Sequence, residues 1–229
     1  MARTRKTHIP VTAGYYEDLY FRPGPADDAY PVVALEDPAV RLGMPTCWDE
    51  WFPEVARAYA LGGAQVLAYP TAIGSEPDHP EFDTQPLWQH TIIAHAIANG
   101  LFVVVPNRTG SEGIITFYGS SFIADPYGRV LVRVPRFSEA VLAADLDLHQ
   151  SSDWLDPFLL LRTRRPLSLR LDASHRSTSP CYAWGGKRTV LCLHQSEGLG
   201  EVDRREAPRP RGQAKSGMSR MRDGAISNP

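Results

Sequence analysis

Between residues 32 and 106, short apolar segments alternate with two longer segments that carry helix boundary signals. Pro53 to Leu61 has a proline and an acidic residue in its first turn and two glycines directly after its end, which is typical of an α-helix. Thr84 to Asn99 ends before a glycine and predicts a second helix. Strands alternating with helices, followed by a run of strands, indicate an α/β layered sandwich.

The apolar segments predict strands because they are short, rich in residues that prefer β-structure and bounded by turn residues. The predicted strands are Val32 to Leu35, Val40 to Met44, Val66 to Tyr69, Leu101 to Pro106, Ser120 to Ala124, Val130 to Val134 and Ala140 to Asp145. Asp125 to Gly128 has the composition of a hairpin turn.

The sequence changes character after Pro166. Residues 167–229 contain 11 Lys/Arg and 6 Asp/Glu, although the whole chain has a net charge of −2. Because Ser, Arg, Pro and Gly dominate there, we predict a globular domain over residues 1–166 and a disordered basic tail over residues 167–229. The clustered arginines of the tail are not interleaved with aromatic side chains, so no nucleic-acid partner is expected.

Composition also bears on location and on metal binding. No apolar run is long enough to span a membrane, so no membrane partner is expected. The basic start is not followed by an apolar segment, which argues against a secretory signal. Cys47, Cys181 and Cys192 are too few and too scattered for a disulfide framework or a zinc site. We therefore expect no metal and a reducing, cytoplasmic location.

Cys47 stands between a predicted strand and a predicted helix. Such a corner can expose a nucleophile, and the backbone N–H groups there can hold a developing oxyanion. A helix N-terminus also lowers the pKa of a thiol. By position alone, however, a buried cysteine of the core is the commoner outcome.

An ordered series of motifs favours the catalytic interpretation of Cys47. These are RKTHIP from Arg5, GYYEDLYFRPG from Gly14, CWDEWFPE from Cys47, YPTAIGSEP from Tyr69, PNR from Pro106, FYGSSFI from Phe117 and RRP from Arg164. The series resembles the nitrilase superfamily of carbon–nitrogen hydrolases, with its closest likeness to the N-carbamoylputrescine amidase branch. The resemblance covers roughly residues 3–166 and implies an α-β-β-α sandwich.

The resemblance implies a role for four residues. Cys47 falls on the nucleophile and Lys6 on the catalytic lysine, whose ammonium would favour the thiolate and, with the Trp48 backbone N–H, hold the oxyanion. Glu17 falls on a second glutamate that orients the lysine or positions substrate. A solvated surface lysine and a surface acid are the alternatives for Lys6 and Glu17.

The family's general-base glutamate lies well upstream of the lysine, whereas this chain starts five residues before Lys6. We therefore expect an N-terminally truncated domain, since Glu36, Glu50 and Glu54 do not match the context of that glutamate. The alternative to an enzyme is an inactive fragment or pseudoenzyme that only associates with nitrilase-type subunits. A homo-oligomer is expected by resemblance.

The expected reaction is hydrolysis of N-carbamoylputrescine, or of a similar N-carbamoyl amine or amide, through a cysteine thioester and without a cofactor. A cationic substrate calls for a carboxylate in the pocket, and Glu76 is the candidate. His8 and Asn107 are expected to have structural roles.

Overall fold

The computed structural model describes residues 3–169. Its strands are β1 (Val11–Thr12), β2 (Tyr15–Tyr16), β3 (Val33–Glu36), β4 (Ala39–Gly43), β5 (Val66–Ala68), β6 (Phe102–Val105), β7 (Thr109–Glu112), β8 (Ile115–Tyr118), β9 (Phe122–Ala124) and β10 (Val130–Arg133). Its α-helices are α1 (Pro53–Leu61), α2 (Gln85–Asn99) and α3 (His149–Phe158). Short 3-10 helices cover Glu17–Leu19, Cys47–Trp51 and Pro166–Leu169.

Within this range, one mixed sheet carries most of the structure, with strand order β10-β9-β6-β5-β4-β3. Its centre is parallel, because β4 pairs with β5 and β5 pairs with β6 in the same direction. The flanking strands are antiparallel to their neighbours. Two hairpins, β1–β2 and β7–β8, stand apart from this sheet. The carboxyl ends of β4 and β5 therefore lie side by side, which brings the loops after them together.

Helices α1 and α2 pack on each other and bury an apolar cluster against the sheet. Val55 and Tyr59 from α1 and Trp88 and Ile92 from α2 are completely buried in it. Gly43 ends β4 beneath this layer, where an added Cβ would come within 2.5 Å of the Tyr59 ring. A glycine is therefore required for α1 to lie this close to the strand that leads to Cys47.

The mixed α/β architecture is confirmed, and α1 has the predicted bounds. The predicted strand from Ala140 to Asp145 is wrong, because no strand among residues 3–169 pairs with it and Val141 is 98% exposed. The hairpin β7–β8 was not predicted, since the polar sequence of Thr109–Glu112 carries no apolar face. Among residues 3–169, no helix combines the length and apolar character needed to cross a membrane. The prediction of a disordered tail falls almost wholly on residues 170–229, which lie outside the described residues.

Candidate active site

The backbone at Cys47 forms a sharp corner. After β4 ends, Cys47 adopts a left-handed conformation with φ of +47° and begins the 3-10 helix Cys47–Trp51. A side chain other than glycine seldom occupies this region, and such strained positions concentrate at functional sites. The Cys47 N–H donates to the carbonyl of Pro70 at 3.1 Å, which ties the corner to the loop after β5. The residue stays partly accessible to solvent.

The segment that contains Lys6 is fastened to this corner by Asp49. The buried Asp49 carboxylate accepts the backbone N–H groups of Thr7 at 3.2 Å and of His8 at 2.8 Å. Its Oδ1 also lies 2.8 Å from Nδ1 of His8, whose ring stacks on Phe52 at 3.6 Å. His8 therefore has the structural role expected for it, and two distant segments of the chain meet at one carboxylate.

Lys6 and Glu17 form an ion pair beside the thiol. The Lys6 Nζ lies 2.6 Å from Oε2 of Glu17, and their side chains are only 14% and 26% exposed. The short hairpin β1–β2 reverses the chain between them, which returns Glu17 to Lys6. The Lys6 ammonium is close enough to lower the pKa of Cys47. The structure thus brings together the three side chains that the resemblance singled out.

The expectation of a lowered thiol pKa is wrong for this structure. Burial raises the pKa of Cys47 to about 11, and the nearby carboxyl group of Glu50 raises it further. Lys6 and the backbone N–H of Ala72 act in the opposite direction, but desolvation of the thiolate outweighs them. The thiol is therefore protonated at neutral pH.

The backbone N–H of Trp48 has no hydrogen-bond acceptor among the described residues. It belongs to the first turn of the 3-10 helix, where N–H groups lack an intrahelical partner. A free donor directly after the nucleophile is the kind of group that an oxyanion hole uses.

A cavity of about 420 Å³ reaches this site at Glu17 and Ala72, although Cys47, Lys6 and Trp48 are not among its lining residues. Glu17 and Ala72 line it at the catalytic end, and Glu112 lines it from the β7–β8 hairpin. Its other lining residues are Gly14, Tyr15, Tyr16, Tyr20, Gly113, Ile114, Ile115 and Phe117. The only charged side chains among these described lining residues are therefore two carboxylates. Glu112 was missed by sequence reasoning because the hairpin that carries it was missed.

Glu76 does not line this cavity. Its Oε1 accepts a hydrogen bond from the Thr84 hydroxyl at 3.2 Å, and its charge raises the pKa of Tyr15. Its carboxylate is thus near the cavity wall but contacts other protein groups, so its predicted contact with substrate stays a prediction.

Comparison with known proteins places this geometry in a family. The family model described as carbon-nitrogen hydrolase matches residues 1–155. The chain belongs to the carbon-nitrogen hydrolase family. The chain is 43% identical over 170 residues to an N-carbamoylputrescine amidase of Arabidopsis thaliana, covering 71% of this chain and 56% of that protein. It is also 41% identical over 166 residues to a citrullinase of Francisella tularensis, covering 71% and 57%.

Known structures of carbon-nitrogen hydrolases share the fold. A crystal structure of a carbon-nitrogen hydrolase from Helicobacter pylori G27 is 38% identical, with a TM-score of 0.65, over 71% of this chain and 57% of that one. A mutant amidase from Nesterenkonia sp. AN1 is 27% identical, with a TM-score of 0.58, over 72% and 54%. That protein carries the acetamide moiety of fluoroacetamide covalently at its active site cysteine. The chain spans a little over half the length of these relatives.

Asn107 joins two loops near the site. Its Oδ1 accepts the N–H of Ile73 at 3.0 Å, and its Nδ2 donates to the carbonyls of Ile73 at 3.1 Å and Gly119 at 2.8 Å. Gly74 follows, with an added Cβ placed 2.2 Å from the carbonyl oxygen of Thr116. These contacts give Asn107 the expected structural role.

Glu50 is a buried acidic residue that sequence reasoning set aside. Its side chain is completely buried, and Oε2 accepts the Thr71 hydroxyl at 2.9 Å. Burial raises the pKa of its carboxyl group to about 8. Nothing in the sequence distinguishes it from a surface glutamate, because its burial follows from tertiary packing. Among residues 3–169 no cluster of His, Cys, Asp and Glu could hold a metal ion.

Proposed function

We propose that this site hydrolyses the carbamoyl C–N bond of an N-carbamoyl amine, or of a related amide, through a thioester on Cys47. The observation that carries the proposal is the meeting of a strained cysteine corner with the Lys6–Glu17 ion pair, 2.6 Å between Nζ and Oε2. A nucleophile, a cation for negative charge and a free backbone donor then act on one carbonyl group.

The reaction has two stages. In the first, the Cys47 sulfur gives up its proton and attacks the carbamoyl carbon, while the oxyanion is held by the Lys6 ammonium and the Trp48 N–H. The C–N bond to the terminal nitrogen breaks, and ammonia leaves with a proton. In the second, water attacks the thioester and the S–C bond breaks, which returns the thiol. The released carbamic acid gives carbon dioxide and the free amine.

The thiol proton needs an acceptor because the pKa of Cys47 is raised to about 11. No carboxylate among residues 3–169 is hydrogen-bonded to the sulfur. In the nitrilase superfamily a glutamate upstream of the lysine supplies this function. The second candidate is therefore a chain that is inactive alone and associates with a nitrilase-type subunit. A homo-oligomer is proposed by resemblance.

Carboxylates near the cavity are the groups that would bind a cationic substrate. Glu17 is paired with Lys6 and Glu112 with Arg108, so a substrate ammonium would share these carboxylates with protein cations. Glu76, near Tyr15, forms no ion pair among the described residues. An N-carbamoyl diamine such as N-carbamoylputrescine carries one positive charge at its distal end, whereas citrulline carries a carboxylate as well as an amine. We therefore propose N-carbamoylputrescine as the substrate, with putrescine for polyamine biosynthesis as the cytoplasmic product.

The test is ammonia release from N-carbamoylputrescine and from citrulline by the full chain and by Cys47→Ala. We expect release from N-carbamoylputrescine by the wild type only, with a mass increase on the peptide that contains Cys47 when the reaction is quenched. Equal rates for the wild type and Cys47→Ala would refute the cysteine mechanism. A faster reaction with citrulline would refute the substrate assignment.

A further inference from the structure

Glu50 lies in the same 3-10 helix as the nucleophile. It follows Cys47 by three residues, and residues at this spacing stack on one face of such a helix. Its side chain is 0% exposed. After burial of the thiol, the charge of Glu50 is the next largest cause of the raised pKa of Cys47, so the two side chains are electrostatically coupled within the protein.

The surroundings of Glu50 do not satisfy an ionised carboxylate. Oε2 accepts one hydrogen bond, from the Thr71 hydroxyl at 2.9 Å, and Oε1 has no partner within 3.5 Å among the described residues. The Trp88 indole N–H is near enough to favour the ionised form of Glu50, but burial of the carboxyl group outweighs it. The Tyr69 hydroxyl is also buried without a partner there. A buried carboxylate needs several donors, so this carboxyl group is better accommodated with its proton.

The charged groups around Glu50 come from several elements. Lys6 is the cation that favours the ionised form, while Asp49 opposes it from the same helix. Burial raises the pKa values of Tyr69, directly after β5, and of Tyr118, at the end of β8, and an ionised Glu50 would raise them further. His95 of α2 meets Glu50 at its main chain and not at its carboxyl group: Nε2 of His95 lies 3.0 Å from the Glu50 carbonyl oxygen.

The Lys6 ammonium is already shared. It pairs with Glu17 at 2.6 Å and also faces the Cys47 thiol. If Glu50 were ionised, two carboxylates and the developing thiolate would compete for one cation in a poorly solvated site. Two like charges in such a site disfavour each other's ionised form.

We infer that Glu50 is a positioning residue that must stay an uncharged carboxylic acid, so that the charge of Lys6 is available to the Cys47 thiolate. This inference deepens the proposed function and rests on it for the turnover measurement alone. Because burial raises the pKa of Glu50 to about 8, the acid is neutral at pH 7 and ionises above pH 8. Ionisation then adds a negative charge beside Cys47 and raises the thiol pKa further.

The experiment compares Glu50→Gln, an uncharged replacement of the same shape, with the wild type. The rate of iodoacetamide alkylation at Cys47 is followed from pH 6 to 10 in the full chain, using peptide mass spectrometry to separate this thiol from Cys181 and Cys192. We expect Glu50→Gln to react about tenfold faster than the wild type above pH 8, which corresponds to one unit of thiol pKa. Below pH 7 the two should agree within about threefold.

Where turnover is measurable, the wild type should lose activity above pH 8, and Glu50→Gln should lack this decline. Glu54→Gln is the matched control, since Glu54 is exposed in the first turn of α1 and its loss should change neither profile. Identical alkylation profiles for the wild type and Glu50→Gln would overturn the inference. Alkylation does not require turnover, so an inactive chain would count against the proposed function and leave this test intact.

A measurement on the wild type alone guards against a variant that fails to fold. Infrared spectra should show the carbonyl stretch of a protonated carboxylic acid at pH 7, where exposed carboxyl groups are ionised, and the band should vanish well above pH 8. Absence of that band at pH 7 would show that Glu50 is charged and would overturn the inference.

Discussion

The backbone N–H of His8 donates to the buried carboxylate of Asp49 at 2.8 Å, across 41 residues of sequence. The same carboxylate accepts the N–H groups of Thr7 and Thr46, so it holds the lysine segment and the cysteine corner together. The distance between the Lys6 ammonium and the thiol therefore depends on one aspartate that takes no part in the chemistry.

Asp49→Ala should lower the free energy of unfolding by about 3 kcal/mol, because several N–H groups lose their acceptor in a buried place. Urea unfolding measures the change. Asp78→Ala removes an exposed aspartate and should change stability by less than about 0.5 kcal/mol. Similar values for the two variants would contradict the structural role of Asp49.

Lys6→Met should slow ammonia release by about 10²–10³-fold, since removal of one group that holds the oxyanion typically costs this much. The same change should slow alkylation of Cys47 at pH 8, because the pKa of the thiol rises when the ammonium is lost. Arg133→Met, on the edge strand β10, is the control for loss of a positive charge. If alkylation of Lys6→Met matched that of the control, the ammonium would have no part in thiol activation.

Glu112→Gln should raise KM for N-carbamoylputrescine about five- to tenfold and leave KM for uncharged N-carbamoylbutylamine unchanged, because only the diamine has a distal charge to lose. Steady-state kinetics with the two substrates give the comparison. Glu76→Gln is run beside it, with exposed Glu36→Gln as the control. A larger effect at Glu76 than at Glu112 would move the cation site to the position first predicted from sequence.

Gly74→Ala should destabilise the protein by about 3 kcal/mol or more, because the new methyl group would overlap the carbonyl of Thr116 in a packed region. Gly113→Ala is the control for the backbone effect of replacing a glycine. Gly113 has φ of +57° and no atom within 4 Å of an added Cβ, so only the backbone penalty of about 1–2 kcal/mol applies. Thermal melting measures the loss of stability in each variant. Equal losses for Gly74→Ala and Gly113→Ala would mean that the backbone at Gly74 lies farther from Thr116 than the structure places it.

Some elements of this fold can be predicted from sequence because local residues determine them, and others cannot because they depend on neighbouring strands. Helix α1 could be delimited from sequence because a proline and a glycine pair act locally at its ends. The segment Ala140 to Asp145 has a strand-like sequence, but a strand also requires a neighbour with free hydrogen-bonding groups. The family and the residues Cys47, Lys6 and Glu17 came from ordered motifs, and their catalytic roles stay predictions.

Residues whose roles depend on burial were beyond sequence reasoning. Asp49 and Glu50 are neighbours in one motif, yet one carboxylate meets four hydrogen-bond donors and the other meets one. Only the packing of α2, β5 and the lysine segment around them creates that difference. Glu112 depends on a hairpin whose strands have too little apolar pattern to be recognised.

Because Lys6 is held at the site through Asp49, the fraction of molecules with Lys6 in place can differ from the fraction that is folded. The lysine segment could detach by breaking a few hydrogen bonds and the stacking of one imidazole ring, while the sheet and its apolar cluster stay intact. Amide hydrogen exchange at Thr7 and His8 would then measure the fraction of molecules in which the lysine segment is attached to Asp49. Melting curves of the whole domain would not reveal this fraction.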